Sequence, residues 1–131
     1  MAGASVETLE RVPLFEGLDA GELQSIADAM REHVFRAGET VVAEGAAADG
    51  FYVVESGEAE VVAQGEPRGT LGSGDWFGEI ALLMGSERTA TITATTDLHC
   101  YGLAPFDFRT LVEGSPVIAW KVLESMAYRL S

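Results

Sequence analysis

Cysteine, proline and positive charge are all scarce in this chain. Its one cysteine, Cys100, excludes an intrachain disulfide and any four-thiolate zinc or iron–sulfur site built by a single chain, and it fits a reducing cytoplasm. Only eight Lys and Arg stand against 21 Asp and Glu, for a formal net charge of −13. The eight cations are dispersed, with no basic run. A surface of that sign repels nucleic acid and anionic membranes, so neither is expected as a direct partner. No apolar stretch approaches the length that spans a bilayer, and the opening MAGASVETLERVPLF lacks a basic segment followed by an apolar one. A soluble cytoplasmic protein is the expectation. His33 and His99 have no metal-ligand partner at a useful spacing, and no serine has an evident base and orienting group. Neither a catalytic residue nor a metal site is expected.

What is present points to one β-rich domain. The chain has 131 residues, 47% of them apolar and 22% charged, which suits a single compact core. Four prolines and 15 glycines suggest many tight turns. SVETLERV, residues 5–12, reads as a short helix capped by Ser5 and ended by Pro13. Asp19 and Glu22 form a capping-box pattern ahead of Leu23, Ile26, Ala27 and Met30, predicting a helix from about Ala20 to Arg31. From His33 the period changes. FRAGETVVAEG, GFYVVESG, EAEVVAQG and EPRGTLGSGDWFG each carry β-branched or aromatic centres and end in glycine, which suits short strands of a small β-barrel or β-roll. EIALLM interrupts them as a helix, and RTATITATTDLHCYGLA resumes them. Pro105 opens a helix stopped by Gly114. Ser115 and Pro116 then start a last one, with Ile118, Val122, Met126 and Leu130 at four-residue spacing.

The chemistry concentrates in FGEIALLMGSERTAT, residues 77–91. Gly78 lets backbone approach a ligand closely, and amides at the start of the following helix can face an anion. Glu79 can accept a hydroxyl hydrogen bond, while Arg88 offers a planar donor fork suited to phosphate. Glu79 and Arg88 taken alone favour a structural ion pair, and only the whole motif favours binding. GSGDWFG, residues 72–78, has the wrong spacing and the wrong surroundings for a dinucleotide loop.

FGEIALLMGSERTATITA resembles the phosphate-binding cassette of cyclic nucleotide-binding domains: Phe-Gly-Glu, an apolar residue, Ala-Leu, a spacer, then Arg, a small residue and Ala. Gly38, Gly45 and Gly57 match turn glycines of that family, and the likeness runs from about Leu14 to the final helix. It implies a mainly β fold with flanking helices, a double-stranded β-helix of jelly-roll type. The N-terminal helices would occupy residues 1–32, the β-roll 33–104 with the cassette at 77–91, and C-terminal hinge or lid helices 105–131, all in one domain. It also implies site roles. Glu79 would take the ribose 2′-hydroxyl and Arg88 the exocyclic phosphate oxygens. Amides near Ile80, Ala81 and Ala90 would complete the cradle, with Gly78 allowing close approach. Thr89 would offer its hydroxyl to phosphate or to a guanine amino group. Val61 and Leu71 would wall the base, and Trp120 and Tyr128 could form a lid. A short turn at AQGEP and Arg68 beside it depart from the family pattern.

The resulting expectation is a non-enzymatic regulatory module without a cofactor, whose ligand is a cyclic nucleotide, cyclic AMP ahead of cyclic GMP, and whose C-terminal helices transmit binding. The last helix could also contact a second copy, through a seam including Trp120 and Met126, or an effector protein. The alternatives are an interaction scaffold of the same fold that binds no nucleotide, or a sensor of another small effector.

Overall fold

The computed structural model describes residues 4–130. Ser5 caps α1 (Val6–Glu10), and a 3₁₀ turn at Pro13–Phe15 follows. The Asp19–Glu22 capping box opens α2 (Ala20–Ala29), as its spacing predicts. That helix ends two residues earlier than expected. Met30 is extended and buried, and Arg31 already pairs with Gly102 in β1 (Arg31–Phe35), so a sheet partner overrides helical periodicity there. The roll therefore begins at residue 31 rather than 33.

Seven more strands follow: β2 (Thr40–Val42), β3 (Phe51–Ser56), β4 (Ala59–Ala63), β5 (Glu66–Leu71), β6 (Trp76–Phe77), β7 (Thr91–Ala94) and β8 (Leu98–Leu103). They form two antiparallel four-stranded sheets, ordered β1-β8-β3-β6 and β2-β7-β4-β5. β3 explains the continuous apolar run FYVV. Phe51 and Val53 pack toward the helices, while Tyr52 and Val54 pack between the sheets, so neither face meets water. β8 divides likewise, with Tyr101 and Leu103 toward the helices and Leu98 and Cys100 inside the roll. The β3–β4 turn depends on Gly57 at φ +92°, where a Cβ would lie 2.2 Å from the Asp97 carbonyl.

α3 (Glu79–Met84) lies between β6 and β7. α4 (Pro105–Gly114) includes the glycine expected to stop it, and the chain turns extended at Ser115. Ser115 Oγ accepts from the Ile118 amide at the start of α5 (Pro116–Leu130). Ile118 and Val122 are buried and Met126 is half-buried against the helical core, whereas Trp120 is 65% exposed. Trp120 and Met126 therefore lie on different faces of α5 and share no single seam. No helix among the described residues is long and apolar enough to cross a membrane.

Candidate functional site

Glu79 and Arg88 are the two charged side chains withdrawn into the buried interior among the described residues, and each finds a partner other than its neighbour in the motif. The site begins with the backbone of Gly78. At φ +100° it caps α3 in the left-handed region, and a Cβ there would sit 2.6 Å from the Gly50 carbonyl and 3.0 Å from Arg88 Nη1. Only glycine lets α3 start this close to the β2–β3 connection. No side chain caps that start, and Gly85, left-handed at φ 62°, closes the helix.

Arg88, 5% exposed, is held from several directions. Its Nη2 donates to the Gly50 carbonyl and to Asp49 Oδ1, both at 2.8 Å, and Nη1 donates to the Gly78 carbonyl at 3.3 Å. Its main chain is fixed as well: the Gly45 amide donates to the Arg88 carbonyl, and the Arg88 amide donates to Ala46. Nε–H is buried without a protein acceptor. Asp49 also accepts from Tyr52 Oη. Burial, reinforced by the Asp49 charge, pushes the Tyr52 phenol up to about 12.

Glu79, at the other end of the cassette helix, is fully buried. Arg129 Nη1 lies 2.9 and 2.6 Å from its two oxygens, and Ser125 Oγ donates at 3.4 Å. Arg129 also donates to the Trp76 carbonyl. The carboxylate is thus paired with a guanidinium carried by α5, which corrects the notion of a Glu79–Arg88 ion pair. A second cation fixes α5 elsewhere: Lys121 Nζ donates to the carbonyls of Pro13 and Glu16.

The remaining sequence candidates fall around this pair. Ile80 and Ala90 are half-buried, Ala81 is buried and Thr89 is exposed. Leu71 belongs to the core within the roll and Val61 packs against that core, while Arg68 is exposed on β5. Trp120 and Tyr128 are both exposed on α5. A cleft of about 400 Å³ beside α3 is lined by Ala47, Ala81, Leu82 and Gly85 but by neither Glu79 nor Arg88. Asp49 and Arg129 escaped the sequence reading. Their partners lie 39 and 50 positions away, and the one available signal was that cations are few enough for each to warrant a role.

Residues 32–115 match the family described as cyclic nucleotide-binding domain. A cAMP-dependent protein kinase regulatory subunit of Yarrowia lipolytica is 44% identical over 106 residues, covering 79% of this chain and 28% of that protein. The regulatory domain of Toxoplasma gondii PKA, solved with cAMP, superposes with a TM-score of 0.84 at 29% identity, over 94% of this chain and 49% of that one. The regulatory subunit of a cAMP-independent protein kinase A from Trypanosoma brucei gives the same TM-score at 25% identity, over 94% and 44%. This chain therefore spans less than half the length of these relatives. The β-roll, the cassette and the sequence match agree, and the chain belongs to the cyclic nucleotide-binding domain family, whose members are regulatory binding modules and not enzymes.

Proposed function

We propose that this domain binds cyclic AMP in preference to cyclic GMP, and that its C-terminal helices carry the signal. The observation that supports this best is the buried Arg88 guanidinium, aligned by Gly50, Gly78 and Asp49 yet retaining an unpartnered Nε–H. A buried donor without an acceptor is costly, and a phosphate oxygen would satisfy it. A cyclic phosphodiester is a permanent monoanion near neutral pH, suited to one deeply placed arginine. In this reading Arg88 holds the exocyclic oxygens, while Ile80, Ala81 and Ala90 contribute amides. Gly78 permits the close approach, Thr89 adds an exposed hydroxyl, and Val61 and Leu71 flank the base. Glu79 accepts the ribose 2′-hydroxyl. A carboxylate has about four lone-pair sites, so Glu79 can receive that hydroxyl while Arg129 stays bound. Arg129 keeps the carboxylate aimed. Ligand and α5 then reinforce each other through one shared group.

Residues 105–130 are accordingly the movable part of a single binding unit in a cytoplasmic regulatory protein. The outward Trp120 face of α5 is available to an effector or a second copy. Calorimetric titration of the wild type and Arg88→Leu with cyclic AMP and cyclic GMP tests the ligand assignment. Saturable cyclic AMP binding that Arg88→Leu abolishes is expected, with cyclic GMP weaker. Absence of saturable micromolar binding to the wild type would overturn it. The likeness to a cAMP-independent regulatory subunit favours a second reading, a sensor of a different small anion, which would then appear as thermal stabilisation by that anion.

A further inference from the structure

A second recessed surface lies away from the cassette, where α2 faces the elbow between α4 and α5. It encloses about 330 Å³, at the small end of ligand clefts. Its floor is formed by Ile26, Leu103 and Ile118, all buried, and the half-buried Leu18, Ala29 and Leu111 also line it. Its charged lining is Glu22 and Asp107, with no Lys, Arg or His among the lining residues. Neither acid has a cationic partner among these helices: α2 has no cation, Arg109 of α4 is paired with Glu113 at 3.0 Å, and Lys121 of α5 donates to the carbonyls of Pro13 and Glu16.

We infer that this groove docks a basic amphipathic helix of a partner protein. An apolar floor between two helices receives side chains spaced i and i+3 or i+4, and acids on the walls select lysine or arginine beside those anchors. The occupant must be cationic because both charges lining the groove are negative and the chain carries −13 overall, which disfavours a second copy of itself. The groove is too small for a whole helix, so only the anchor side chains enter while the basic flanks stay at the rim.

The test uses two synthetic helical peptides with identical leucine faces, one with lysine flanks and one with glutamate flanks, titrated into the isotopically labelled chain. The basic peptide should saturate and shift the amides of Ile26, Ala29, Thr110 and Ser115, and the acidic one should not. The Glu22→Gln, Asp107→Asn double variant should weaken the basic peptide by about three- to tenfold, as expected for losing two rim charge pairs. Glutamine can replace Glu22 in the capping box, so the fold is retained. Ser25→Trp, a substitution at a lining position that is exposed to solvent, should block docking by filling the groove. Glu60→Gln, Glu66→Gln serves as control, because these exposed acids are remote in sequence and fold. Equal binding of both peptides, an equal loss in the control variant, peptide-induced dimerisation, or shifts confined to other surfaces would each overturn the inference.

Discussion

The two ends of the cassette are held by different kinds of structure. Arg88 is fixed by the roll itself: two backbone carbonyls, the Asp49 carboxylate, and main-chain bonds to Gly45 and Ala46. Glu79 is held by Ser125 and Arg129, side chains of a helix that returns 46 and 50 positions later and shows solvent a face carrying Val117, Trp120 and Leu123. One end is a wall and the other a docked element. If the proposed function holds, a ligand that spans both would sense at the wall and report at the helix, and removing a group at either end should leave a different signature.

The largest effect is expected at the wall. Gly78→Ala drives a Cβ into the Gly50 carbonyl and against Arg88 while demanding a left-handed backbone from alanine. It should destabilise the domain by more than about 2 kcal/mol in chemical denaturation and abolish measurable cyclic AMP binding. Arg88→Lys keeps the charge but loses the planar fork, and should weaken cyclic AMP by about 1.5–3 kcal/mol in calorimetry. It should leave amide exchange along α5 in the free protein unchanged.

The docked end should answer differently. Arg129→Ala leaves a fully buried carboxylate without its cation, so a stability loss of about 1–3 kcal/mol is expected. Cyclic AMP should bind about tenfold more weakly, since Glu79 is no longer held in place by Arg129. Hydrogen exchange of residues 116–129 should quicken in this variant, and cyclic AMP should slow it in the wild type. Faster α5 exchange in Arg88→Lys, or none in Arg129→Ala, would erase the distinction between the two ends.

The smallest effect concerns the closed roll beneath the wall. Burial pushes the Cys100 thiol up to about 12 from an ordinary 9.0, and Tyr52 rises to about 12 from 10.0. Both groups stay protonated in the fold at pH values where the unfolded chain ionises. Their contribution to stability is thus complete below about pH 9 and lost as pH rises toward 12. Denaturation midpoints should fall across that window, less steeply in Cys100→Ala. Native Cys100 should resist alkylation at pH 8.

What could be read from the residues and what could not divides along sequence distance. α3, its glycine boundaries, the capping box of α2 and the Ser115–Pro116 start of α5 depend on side chains within a few positions, and each follows from local pattern. The end of α2 did not, because pairing of Arg31 with Gly102 is decided 71 positions away. Glu79 and Arg88 stood out by residue type and spacing, yet their partners Arg129 and Asp49 are supplied by folding, and nothing near either marks it as a partner. Trp120 has the chemistry of a lid, but the helical phase that buries Ile118 and Val122 turns it to solvent.

Gly78 offers a practical way to tell a working cassette from its remnant. The position has no side chain to offer; what it contributes is room for a carbonyl and a guanidinium, and its own carbonyl as an acceptor for Arg88. A relative that kept the glutamate and arginine but carried any side chain there would still display the legible motif while its arginine stood displaced. In scanning chains of this fold for lost function, that missing Cβ is the first thing to check, ahead of the residues whose chemistry draws the eye.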